Sequence, residues 1–143
     1  MTIELLKKEE IPELLELYKE LGDFEMDLEE SKKAYDKMLS DENYYLLVAK
    51  EDDKIIGTVL GIVCHSLLIL GKPFMVVEDV VVKEEYRRQG IGKKLFEEID
   101  KISHERECLY SILVSSGHRK NAHVFYENQG YNDEVKGFRK KYF

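Results

Sequence analysis

Cysteine is scarce in this chain of 143 residues, with only Cys64 and Cys108. Neither has metal-ligand spacing or the company of a Cys-rich framework, so a zinc module and a disulfide-stapled fold are excluded, and both thiols are expected to be reduced core or near-core residues. Long apolar runs are missing as well. None approaches the roughly 18 residues needed to span a bilayer, and the N-terminal MTIELLKKEE has no signal-peptide apolar segment, which predicts a cytoplasmic protein without a membrane partner. Repeats, low-complexity tracts and linkers are also lacking, and the length suits one domain over residues 1–143 with one substantial core. Positive charge is in deficit overall, with a net charge of -7, which argues against a general nucleic-acid binder.

The charge is unevenly spread. Residues 1–85 carry 10 Lys/Arg against 21 Asp/Glu, whereas residues 86–143 carry 12 against 8. The basic part contains the most informative segment, EDVVVKEEYRRQGIG from Glu78 to Gly92. Phe74 to Val82 is apolar on both alternating faces, which predicts a strand covered on each side. From Ile91 onward, Ile91, Leu95, Phe96, Ile99 and Ile102 recur at helical spacing, so a helix begins near Gly90. Its first N–H groups have no intrahelical partner and its positive dipole end faces the turn. Gly90 and Gly92 lack a Cβ, which lets a diphosphate approach the backbone, and Arg87 and Arg88 add charge. The dinucleotide fingerprint fails because Leu95 stands where a third glycine is needed; the Walker loop fails because Gly92-Lys93-Lys94 lacks the Ser/Thr.

Elsewhere, Thr2–Leu6 reads as a strand and Ile11, Leu14, Leu15, Tyr18 and Leu21 as a helical stripe opened by Pro12 and ending near Gly22. A second helix fits Leu28–Leu39 with Ala34, Tyr35, Met38 and Leu39 inward. Tyr44–Lys50 and Ile55–Leu68 read as strands joined by the polar turn Glu51-Asp52-Asp53-Lys54. Leu109–Ser115 is a strand, Asn121–Asn128 a short helix stopped by Gly130, and Gly137–Phe143 a last strand. His65 and His104 have a structural aspect, and no His set has the spacing of a metal site.

The Arg-x-x-Gly-x-Gly pattern from Arg87 to Gly92, directly after a strand, resembles the acetyl-coenzyme A signature of the GNAT N-acetyltransferase family, and the element order over the whole chain is similar to that family's. A second segment, HRKNAHVFYENQGY from His118 to Tyr131, resembles the family's Asn-x-x-Ala-x-x-x-Tyr-Glu-x-x-Gly-Phe/Tyr segment, with Ala122, Tyr126, Glu127, Gly130 and Tyr131 in register. Arg119 stands at the usual Asn position, with Asn121 close by but out of register. This local form resembles a subgroup that includes aminoalkylphosphonate N-acetyltransferases.

The resemblance implies an α+β fold with a mixed, mostly antiparallel twisted sheet of six or seven strands and about four helices, in which parallel strands 4 and 5 splay apart to form the acetyl-coenzyme A cleft. It implies acetyl-coenzyme A as co-substrate, with Val80, Val81, Val82, Arg87, Arg88, Gln89, Gly90, Ile91, Gly92, Lys93 and Asn121 as its candidate contacts. Amide formation requires a proton acceptor for the incoming amine, and Glu78 and Asp79 lie within an otherwise apolar strand where partial burial raises a carboxylate's pKa. Adjacent strand residues point to opposite faces, so one of the two is expected in the cleft, Glu78 being the first candidate and Asp79 the second. Tyr126 occupies the position of the family's general acid. The loop from Glu20 to Asp27 lies where the family closes over its acceptor, which makes Phe24 and Glu25 candidate contacts for an amine; His118 and Arg119 are candidates for an acceptor phosphate or carboxylate. The expected activity is transfer of acetyl to a primary amine of a small molecule. A protein Lys or N-terminal acetyltransferase and a non-catalytic acyl-coenzyme A sensor are the alternatives. The aromatic end Phe138–Phe143 suggests a homodimer.

Overall fold

The computed structural model describes all residues from Met1 to Phe143. Its chain order is β1 (Thr2–Leu5), α1 (Ile11–Tyr18), α2 (Leu28–Leu39), β2 (Tyr44–Glu51), β3 (Lys54–Cys64), β4 (Phe74–Val82), α3 (Ile91–Glu105), β5 (Ser111–Ile112) and α4 (Lys120–Asn128). The five strands form one sheet in sequential order. The β1–β2, β2–β3 and β3–β4 pairs are antiparallel, while β4 and β5 are parallel.

Local sequence explains most boundaries. Asp52 and Asp53 both take positive φ (48° and 61°) in the two-residue turn between β2 and β3, as a tight hairpin requires. Pro12 stands in the first turn of α1, where its missing N–H costs nothing. The Asp27 side chain accepts from the Glu30 N–H and caps α2. Only Tyr35 of α2 is buried, its hydroxyl donating to the Leu6 carbonyl, whereas Ala34 and Leu39 are exposed, against the expected inward stripe.

Two apolar layers sandwich the sheet. On one face, Leu47, Ala49, Val59, Met75 and Val77 pack with Ile91, Leu95, Phe96, Ile99 and Ile102 of α3 and with Tyr126 of α4. On the other, Leu46, Val48, Ile55 and Leu60 pack with Leu14 and Leu17 of α1 and Tyr35 of α2. Phe96 is almost wholly enclosed and meets the rings of Phe125, Tyr126 and Tyr131 at 5.4–5.9 Å. Truncating it to Ala is expected to cost about 3–5 kcal/mol.

Three sequence expectations fail, each at an end of the sheet. β3 stops at Cys64, and Leu67, Leu68 and Leu70 stand exposed in the connection to β4, because apolar side chains alone do not continue a strand without a pairing neighbour. The expected strand over Leu109–Ser115 shrinks to Ser111–Ile112, since β4 diverges from it. Gly137–Phe143 forms no strand, so the sheet has five strands and not six or seven; Phe138, Tyr142 and Phe143 remain exposed.

Candidate active site

The site grows out of a single irregularity in β4. Leu60 pairs with Glu78 and Thr58 with Val81, so β4 spends three steps where β3 spends two. The extra residue is taken up at Asp79, whose φ is 53°, a backbone region that Asp tolerates better than most residues. An inserted residue reverses the inward–outward alternation. Met75 and Val77 belong to the α3 layer, while Val81, also odd-numbered, belongs to the α1 layer. The bulge therefore brings Glu78 and Asp79 into the same cleft, correcting the expectation that only one of them would face it.

The bulge also bends β4 away from β5. Their pairing is confined to Met75 with Ser111 and Val76 with Ile112. Beyond it the strands part around a cleft of about 630 Å³. Val77 to Val80 form one wall. Leu113 to Ser116, His118, Arg119 and Tyr126 form the second, joined by Gly137 and Arg139 of the tail. Tyr18, Leu21, Phe24 and Met26 close the α1 side. The Lys83 N–H donates to the Ile56 carbonyl, and by strand alternation Val81 also directs its backbone at β3. Val80 and Val82 then present theirs to the splayed edge, where the Val82 carbonyl accepts from Arg87 Nε. Of the three valines, Val81 is thus buried away from the cleft.

The glycine turn at the end of β4 has two differently employed glycines. Arg88 and Gly90 have φ of 62° and 79°, an arrangement of the kind that gathers backbone N–H groups into an anion-binding concavity. The N–H groups from Arg88 to Lys93 donate to no protein acceptor, and a Cβ on Gly90 would point into open space. Gly92 faces the other way: a Cβ there would lie 2.9 Å from the Phe125 ring, so this glycine admits α4 against α3 and does not serve phosphate approach. Arg87 is likewise diverted, its guanidinium pairing with Glu20 at 3.1 Å. Gln89 Nε2 donates to the Glu85 carbonyl, and Lys93 lies 3.9 Å from Glu97 on the surface of α3. The free donors, the dipole of α3 and the Arg88 charge fit a diphosphate. Ser115 Oγ, buried on the cleft wall with no partner, offers a further polar contact for a ligand arm.

Two side-chain expectations do not converge on the cleft. Glu25 is exposed and outside the lining, its place taken by Met26, and Asn121 is exposed on the first turn of α4. Phe24, 61% exposed, does line the cleft, as do His118 and Arg119. Phe125 is a packing residue, edge-on to Phe96. Tyr18 and Arg139 were not singled out from sequence. Tyr18 reads as one more apolar position of the α1 stripe, and Arg139 lies in a tail with no pattern linking it to β4.

Electrostatics set the cleft's acids and bases apart. Enclosure raises the Glu78 carboxyl above its usual range, Asp79 pushes it further, and Arg139 opposes both. Burial raises Asp79 as well. Both side chains still reach solvent at the cleft mouth. Tyr126, only 9% exposed, has its hydroxyl pKa raised by burial, with Arg119 opposing and Glu78 reinforcing the shift. It is therefore a neutral O–H at physiological pH. Tyr18 is raised in the same way by burial and by Asp79.

The sheet is thus opened by a bulge, with Glu78 and Asp79 on the cleft wall and the free N–H groups of the α3 N-terminus following the same strand. The model of the acetyltransferase (GNAT) family matches residues 8–131, and the chain belongs to that family. Its fold is shared with a protein of Agrobacterium tumefaciens strain C58 assigned as an acetyltransferase, at 25% identity, TM-score 0.91 and 99% coverage of each chain. It is also similar to an aminoglycoside acetyltransferase from an uncultured soil metagenomic sample, at 25% identity and TM-score 0.81 over 98% of this chain and 95% of that one. The glucosamine-6-phosphate N-acetyltransferase of Arabidopsis thaliana shares the fold at 24% identity, TM-score 0.88 and 99% and 98% coverage. Enzymes of this family generally use acetyl-coenzyme A. No helix is long and apolar enough to cross a membrane.

Proposed function

We propose that residues 1–143 form one catalytic domain that transfers acetyl from acetyl-coenzyme A to a primary amine of a small molecule. The observation that carries this reading is the bulge at Asp79, which sets two carboxylates with raised pKa values in an opening that also holds the Tyr126 hydroxyl. When bound, acetyl-coenzyme A supplies an activated acetyl thioester. Glu78 accepts the proton of the incoming ammonium, directly or through water, because its raised pKa lies closer to neutrality than an ordinary carboxylate's. Asp79 holds that pKa up and draws the cation in. The Val80 N–H, directed into the splayed edge, is a donor to the acyl arm. Tyr126 donates a proton at the departing sulfur. Arg88, Gln89, Gly90 and Ile91 hold the diphosphate through their backbone N–H groups.

A small acceptor is favoured by the cleft's volume, about 630 Å³, and by its closure on the α1 side by Tyr18, Leu21, Phe24 and Met26. The similar structures named for amino-sugar substrates agree with this. The test is free-thiol release from acetyl-coenzyme A against polyamines, amino sugars, amino acids, aminophosphonates and Lys-containing peptides. Turnover confined to small amines supports the proposal, and turnover confined to peptides replaces the acceptor class.

A further inference from the structure

We infer that the acceptor carries an anionic group, a phosphate, phosphonate or carboxylate, and that Arg139 of the C-terminal tail reads it together with Arg119. This deepens the acetyltransferase reading above and rests on it. The cleft is electrically two-sided. Glu78 and Asp79 stand on the β4 wall, while Arg119, Arg139 and His118 stand opposite. Arg87 is neutralised by Glu20, Lys50 by Glu4 and Glu10, and Lys83 by Glu85. Arg119 and Arg139 pair with no carboxylate. Two guanidinium groups left unpaired in one cleft repel a polycation, whereas their planar donors suit an oxyanion. A molecule with an ammonium at one end and an oxyanion a few bonds away matches both walls at once.

The tail is seated to do this. A Cβ on Gly137 would lie 2.9 Å from a Val114 methyl, so the backbone at Gly137 rests directly on the cleft wall two residues before Arg139. The electrostatic influence of Arg139 reaches the Glu78 carboxyl across the opening. The family match ends at residue 131, so this contact is supplied by a segment outside it.

The experiment compares matched amines by thiol release: ethanolamine, O-phosphoethanolamine, 2-aminoethylphosphonate, β-alanine, propylamine and spermidine. An anion-bearing member is expected to have the highest kcat/KM, and the phosphate, phosphonate and carboxylate arms tell which oxyanion is read. Arg139→Gln should raise KM for that member by about tenfold or more, the loss expected of one charged contact, with the acetyl-coenzyme A KM little changed. Arg139→Lys should restore part of the loss, and either change should raise the propylamine KM far less than that of the anion-bearing amine. Preference for propylamine or spermidine overturns this inference while leaving the acetyltransferase reading standing. So does an Arg139→Gln variant that loses activity equally on charged and uncharged amines, or one that raises the acetyl-coenzyme A KM. Absence of thiol release with every amine and peptide overturns the acetyltransferase reading itself, and this inference with it.

Discussion

The two walls of the cleft are built by opposite means. The β4 wall is a central strand, hydrogen-bonded to β3 and locked by a bulge whose extra residue reverses the side-chain alternation. The opposite wall has two residues of strand, a loop, the first turns of α4 and a tail without secondary structure. Positions that must hold a proton acceptor to a fraction of an ångström belong on the first kind of wall; positions that recognise a variable acceptor suit the second. Tyr126 is the exception that clarifies the rule, because its ring is fixed by Phe96 and Phe125 although its helix begins in the looser wall.

The contrast breaks most visibly at Glu78. Glu78→Gln should lower kcat by about 10²–10⁴, the range for a general base, with acceptor KM little changed; an unchanged kcat would hand the role to Asp79 or to solvent. Tyr126→Phe should lower kcat by about 10², with acetyl-coenzyme A binding preserved. Equal kcat in the two proteins would mean that another donor protonates the sulfur. At the glycine turn, Gly90→Ala puts a side chain at a φ of 79°, which strains the turn whatever the space around it, and should raise the acetyl-coenzyme A KM by about tenfold, roughly 1.4 kcal/mol. An unchanged KM would remove the diphosphate from this turn.

Gly92→Ala sharpens the comparison from the other side, because its effect should be on stability and not on binding. The added methyl meets the Phe125 ring at 2.9 Å, which predicts a loss of about 1–3 kcal/mol, read as a lower Tm and relieved by Phe125→Leu. A change in cofactor KM with an unchanged Tm would reverse the assignment.

The smallest effect is expected at Asp79. Burial raises its pKa in the folded chain, so ionisation costs stability as pH rises above the unfolded value, about 3.9, and through the folded one. Asp79→Asn suits the positive φ and should raise Tm slightly at pH 7, with no difference from the parent below about pH 3.5. Removing the Asp79 charge also lowers the Glu78 pKa, so the acid limb of the kcat profile should move to lower pH. Collapse of kcat instead would identify Asp79 as the base.

Much of this was legible in sequence because the signals are local. The period-3.6 stripe from Ile91 to Ile102 and the β-branched run from Phe74 to Val82 each placed an element to within a residue of its observed start. Leu28–Leu39 matched a helix at both ends. The site was half legible. Glu78 and Tyr126 line the cleft and Gly90 opens α3, but Asp79 joins Glu78 on one face only because Leu60 and Thr58 pair with residues three apart on β4. No periodicity of β4 alone announces that shift. Gly92 and Gly90 look alike in the motif, and only Phe125, 33 positions after Gly92 in the chain, separates their roles.

The tail shows the limit most plainly. Gly137–Phe143 has the composition of a strand, yet β5 is too short to offer it a ladder, and it lies instead as irregular chain against Val114. By itself the sequence determined the helices, the central strands, the family and the glycine turn that opens α3, because apolar periodicity and glycine placement act over a few residues. The tertiary structure alone decided which carboxylates share the cleft, which glycine serves packing, and that Arg139 lines the same cleft as Glu78. Those outcomes depend on strand register and on contacts between segments far apart in the chain, where no local propensity reaches.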